Sequence, residues 1–140
     1  MNSETSAPSS DSDATPAGKV EIRVPADGAY IATLRLSAAS LATRCDLTVD
    51  AIVDLRLAVA EACALLLDQS GPSDALEAVF TMVAGELTVE VSVPAREGAK
   101  IARGGFGWTV LGALASSVDV AHETGRLAIT VTKRREAASR

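Results

Sequence analysis

Aromatic residues are scarce in this 140-residue chain: two Phe, one Trp and one Tyr, 3% of the total. Any core must therefore be built from aliphatic side chains, which a hydrophobic content of 48% supplies. Cysteine is almost as rare. Cys45 and Cys63 form no C-x-x-C pair; in a reducing compartment they read as small buried apolar residues, with a regulatory disulfide or a reactive thiol as the alternatives. His122 is the single histidine and has no cysteine or second histidine near it, which excludes an ordinary zinc site. No apolar run approaches the roughly eighteen residues of a membrane span, and no basic-then-apolar stretch opens the sequence. The chain is expected in the cytoplasm, away from membranes. Positive charge is also in deficit, with 13 Lys and Arg against 18 acids and a net charge of −5. A net-acidic body argues against nucleic acid as the principal ligand. The basic residues that close the chain, Lys133, Arg134, Arg135 and Arg140, read as a solvated C-terminus.

What is present is enough for one domain with a core. Residues 1–18 are Ser, Thr, Asp, Ala and Pro with Met1 the one large apolar side chain. Such a segment buries too little surface to offset the entropy of ordering it and is expected to be a disordered tail. Residues 19–134 form the expected domain and 135–140 a basic tail.

The stretch around which the domain is organised runs from Thr48 to Leu67. Ile52, Leu55, Val59, Ala62 and Leu66 recur at spacings of three and four and predict one apolar stripe. Asp54, Glu61 and Asp68 follow at spacings of seven along another face. Thr48 suits the N-cap, Asp50 places a negative charge in the first turn, and Gly71-Pro72 is the expected stop. Upstream, Val20, Ile22 and Val24 alternate with Glu21 and Arg23 as in a half-buried strand ended by Pro25. A first helix is expected from about Asp27 to Cys45. Downstream, Leu76–Val83 and Glu86–Val93 predict an antiparallel hairpin turned at Ala84-Gly85, with Leu87, Val89, Val91 and Val93 on one face. Pro94–Ala102 reads as a short polar loop. A third helix, Trp108 to about Ser117, is almost wholly apolar and is expected to be buried. Val118–His122 and Arg126–Thr132 predict a second hairpin. The order β-α-α-β-β-α-β-β implies an α+β two-layer sandwich, a mixed but mostly antiparallel sheet with three helices on one face.

One segment carries possible chemistry on its own account. Arg103-Gly104-Gly105-Phe106-Gly107 places three glycines before a helix, where unshielded backbone N–H groups can cradle a phosphate and Arg103 can add a charge-assisted bond. The plainer reading of those glycines is a tight turn, and the plainer reading of Glu61 is a solvated acid on a polar helix face.

Taken together, residues 20–134 resemble the RsbW/SpoIIAB-type anti-sigma factors, members of the histidine-kinase-like ATPase superfamily with its Bergerat-type fold. The specific pieces are Glu61-Ala62 late in the second helix and Arg103-Gly-x-x-Gly107 at the start of the third. The resemblance implies a domain that sequesters an alternative sigma factor, is countered by an anti-anti-sigma partner, and forms a homodimer; in many relatives it also phosphorylates that partner on serine. It further implies Glu61 as the catalytic base, with Arg103, Gly104, Gly105 and Gly107 as nucleotide-binding residues for ATP and Mg. Three departures stand against the enzyme. Position 65, where relatives carry the Asn that holds magnesium, is Leu, which offers a hard cation no oxygen. Ala95 stands where the adenine-reading aspartate belongs, with Glu97 a conceivable substitute. The loop from Arg96 to Ala102 is much shorter than the lid of the kinases. The leading expectation is thus an anti-sigma factor with a degraded nucleotide site; an active serine kinase and a fold-only subunit of some assembly are the alternatives.

Overall fold

The computed structural model describes residues 18–135. All but the last residue of the expected N-terminal tail, and residues 136–140, lie outside them. Five strands form one sheet: β1 (Gly18–Pro25), β2 (Ala75–Val83), β3 (Glu86–Pro94), β4 (Ser117–Glu123) and β5 (Arg126–Arg134). Their spatial order is β1-β2-β3-β5-β4 and every pairing is antiparallel, where a mixed sheet had been expected. Three helices, α1 (Ile31–Arg44), α2 (Val49–Leu67) and α3 (Phe106–Leu114), complete the second layer.

The local reasons are those the sequence suggests. Thr48 caps α2, its side-chain oxygen accepting from the Ala51 N–H at 3.1 Å. The helix buries Leu55, Val59, Ala62 and Leu66 completely. The first helix has a different start: Asp27 caps a 3-10 turn, Gly28–Tyr30, that feeds α1. The β2–β3 hairpin turns at Ala84-Gly85, where Gly85 takes φ +79°. In the β4–β5 hairpin Thr124 and Gly125 both have positive φ, 50° and 77°, the handedness that matches the strand twist in a two-residue turn.

Two further expectations fail here. The apolar α3 begins at Phe106, ends before Ala115, and buries only Leu111 fully; Phe106 is 83% exposed. The helix packs chiefly against α2, with Trp108 and Leu114 half-buried beside Leu111 while Phe106 faces outward. Lys133 is no tail residue. It lies in β5, 7% exposed, with Nζ 3.2 Å from Asp54 Oδ2 and 2.7 Å from the Leu114 carbonyl oxygen. One ammonium thus ties β5 to α2 and α3. Arg135 is also engaged: it pairs with Asp46, and its N–H donates to Gly85 O.

The Lys133 arrangement predicts an asymmetry. Removing Asp54 strands a desolvated ammonium, whereas removing Lys133 leaves a carboxylate whose side chain is 40% exposed and can hydrate. Asp54→Ala is expected to cost about 2–3 kcal/mol and Lys133→Met less than about 1 kcal/mol. Urea melts of the two variants measure both, and equal losses would refute the account.

Candidate functional site

Two of the sequence-predicted residues, Glu61 and Gly107, meet where α2 passes the start of α3. A methyl group built on Gly107 would stand 2.9 Å from Glu61 Oε1 and 3.7 Å from Leu65 Cδ2. The Glu61 carboxylate therefore lies against the α-carbon of Gly107, an approach that only glycine permits without displacing it. Glu61 and Leu65 are one turn apart on the same helix face, which is why both meet the one glycine. Among the described residues Glu61 makes no ion pair with Arg56 or any other cation.

Gly104 and Gly105 have a different character. A side chain at either would meet nothing within 4 Å, and neither takes a positive φ. Packing does not demand glycine there. Gly105 is the N-cap of α3 and supplies no side-chain cap, so backbone N–H groups at this helix start remain open to an anion. Arg103 is turned aside: its guanidinium carbon stands 5.1 Å from the centroid of the Trp108 ring, a cation–π contact, and among the described residues its side chain makes no ion pair.

The loop after β3 is not wholly polar, contrary to expectation. Ile101 is 5% exposed, and Ala95 and Ala99 pack against the core beside it. The signal in the sequence is Ile101 itself, a large β-branched side chain two residues after Ala99 among charged neighbours. Glu97 lies exposed on the same loop and, with Arg96, Asp68 and Gln69, lines a cleft of about 390 Å³ at the C-terminal end of α2.

These residues do not fit magnesium-bound nucleotide. Leu65, beside Glu61, packs its side chain on Gly107 and has no oxygen for a metal ion, and Ala95 presents only a methyl group. The described residues hold no group of three or more His, Cys, Asp or Glu side chains able to grip a metal ion. The site holds an acid, Glu61, facing a glycine-rich helix start with no side-chain cap. Neither cysteine joins this site. Both are free and buried, and burial raises the thiol pKa of each. Among the described residues no helix is long and apolar enough to cross a membrane.

Comparison with known proteins gives this geometry a context. The family model described as "histidine kinase-like ATPase domain" matches residues 24–133. An anti-sigma-F factor RsbW of Mycobacterium tuberculosis is 38% identical over 129 residues, 86% of this chain and 76% of that protein. A serine-protein kinase RsbW of Bacillus thuringiensis is 31% identical over 75 residues, 54% of this chain and 47% of the kinase. Among solved structures, the crystal structure of the RsbU and RsbW domains of an M. tuberculosis protein superposes with a TM-score of 0.65 at 17% identity. It covers 89% of this chain, which spans about a third, 34%, of that larger one. At such identity the likeness shows a shared fold. The match across residues 24–133 and the extended identity to an RsbW protein place the chain: it belongs to the histidine kinase-like ATPase domain family, among the RsbW proteins.

Proposed function

We propose that this protein is an anti-sigma factor, which binds an alternative sigma factor, keeps it from RNA polymerase, and is released by an anti-anti-sigma partner. The observation that carries the reading is the 38% identity to an anti-sigma-F factor along most of both chains. The site is in keeping with it, because Leu65, one turn after Glu61 and against Gly107, has no oxygen to offer a magnesium ion. In this reading Glu61, Arg103, Gly104, Gly105 and Gly107 are the remains of a nucleotide site and its catalytic base.

A serine kinase is the second reading, favoured by one feature: Glu61 is retained and lies at the start of α3, where an attacking hydroxyl would need a base. Loss of the adenine acceptor and the metal ligand argues against it, since each charged hydrogen bond is worth about 1.5–3 kcal/mol. We also propose a homodimer and a cytoplasmic location. Strand β1 is an edge of the sheet, and Val20 and Ile22 together with Leu36, 64% exposed, border a cleft of about 290 Å³ beside it.

The deciding experiment uses the full chain with polymerase and the alternative sigma factors of its source. Expected are a stable complex with one of them, suppressed transcription from its promoters, and no calorimetric Mg-ATP binding in the low-micromolar range. Glu61→Ala should leave sigma binding unchanged. Undiminished transcription with every alternative sigma factor would end the leading reading. Tight Mg-ATP binding with phosphate transfer abolished by Glu61→Ala would establish the kinase.

A further inference from the structure

A cavity of about 480 Å³ opens at the end of the sheet where β4 and β5 pass beneath the loop that precedes α3. Its floor is aliphatic: Leu127 at 1% exposure, Ile101 at 5%, and Val120 partly buried. Its rim is basic. Lys100, Arg103 and His122 line the mouth, all exposed, and among the described residues no carboxylate lines it, in a chain whose net charge is −5. The strand register explains the geometry. His122 pairs with Leu127 and Val120 with Ile129, so His122 and Val120 share the face of β4 that the buried β5 side chains occupy. Among the described residues none that lines the cavity comes from a helix, and the loop residues Lys100 and Arg103 close the third side.

We propose that this cavity binds a soluble amphiphilic anion: an apolar chain or ring on the Leu127–Ile101–Val120 floor and a single phosphate- or carboxylate-type head against Lys100, Arg103 and His122. The volume lies within the roughly 300–1,000 Å³ of small-molecule sites, and an apolar lining with a few convergent polar groups is their usual composition. The site is separate from the Glu61–Gly107 contact. Neither Glu61 nor Leu65 lines it, and Arg103 alone is shared between the two. The inference does not rest on the anti-sigma reading, and neither stands or falls with the other.

The protein carries its own reporter. Trp108 is the one tryptophan, and the Arg103 guanidinium stands 5.1 Å from its ring. Drawing Arg103 onto an anion moves that charge and changes the indole emission. Titration of the full chain with octyl phosphate, below its micellar range, is expected to give a saturable single-site change in Trp108 fluorescence. Inorganic phosphate and 1-octanol, which each offer half of the chemistry, should bind at least about tenfold more weakly. Lys100→Glu should weaken octyl phosphate by about tenfold or more, while Lys100→Arg retains binding. Circular dichroism on both variants, whose substituted side chain is exposed, confirms that the fold is intact. A flat titration overturns the proposal. So does one-for-one displacement by Mg-ATP, which would make the cavity part of a nucleotide site. Co-sedimentation with anionic phospholipid vesicles without any response to octyl phosphate overturns it in favour of a membrane surface.

Discussion

Phe80→Ala is expected to destabilise the protein by about 3–5 kcal/mol and to lower the melting temperature by about 10–20 °C. Phe80 is the one aromatic residue with no exposed surface in a chain that has very few. It sits mid-strand in β2, paired with Val20 on one side and Val89 on the other, on the face turned to the helices. Its neighbours are β-branched side chains on hydrogen-bonded strands, which cannot slide together to fill the space of a lost ring. Both the transfer term and the cavity term are then felt in full. Phe106→Ala supplies the contrast: with 83% of that residue exposed, its loss should stay within about 0.5 kcal/mol. Thermal and guanidinium melts of the two variants test the pair. A Phe80→Ala protein that melts within about three degrees of the parent would mean that the core is far looser than the burial implies.

The second large effect concerns pH. Cys63 is on α2 with no exposed surface, and burial pushes its thiol from the ordinary 9.0 up to about 12. Between those values the unfolded chain has released a proton that the folded chain still holds. Stability therefore falls as pH rises: the contribution of the neutral thiol is complete below pH 9 and is exhausted near pH 12. The slope of one proton is about 1.4 kcal/mol per pH unit, so about 4 kcal/mol is lost across the whole window. Denaturant melts of the parent and of Cys63→Ala at intervals from pH 8 to about 10.5 isolate this group, because every other titration is common to both proteins. The parent should lose stability more steeply by about one proton. Parallel curves would show that Cys63 does not stay neutral in the fold.

Much of this architecture was legible in the residues because local and tertiary demands agree. In α2 the Thr48 cap, the apolar spacing and the burial of Leu55, Val59 and Leu66 all point the same way. The β2–β3 hairpin is equally consistent, with alternation on both strands and Gly85 at the turn. What failed were positions decided by neighbours remote in sequence. The composition of α3 suggests burial, yet packing chiefly against α2 leaves Phe106 in solvent. Lys133 looks like part of a solvated basic run until Asp54, 79 residues away, and the Leu114 carbonyl are seen to receive it. At the site, the spacing of Glu61 and Leu65 puts both on one helix face. That the face meets Gly107 followed from the family resemblance, since no periodicity links α2 to α3. Ile101 was hidden by its polar neighbours.

The placement of β5 has a consequence for biosynthesis. It is the last of the five strands to be made, yet it lies inside the sheet, between β3 and β4. Its partners in β3 are distant along the chain, from Pro94 opposite Arg126 to Glu86 opposite Arg134. Forty residues separate the end of β3, Pro94, from the end of β5, Arg134 (134 − 94). At translation speeds of roughly 5–20 residues per second, the ribosome takes about 2–8 seconds to supply them. Throughout that interval the hydrogen-bonding edge of β3 has no strand to pair with, and Val89, Val91 and Val93 stand open on one side. The nascent chain is thus most exposed to misassociation just before its final strand arrives, and a chaperone that shields a valine-rich edge would act in that window.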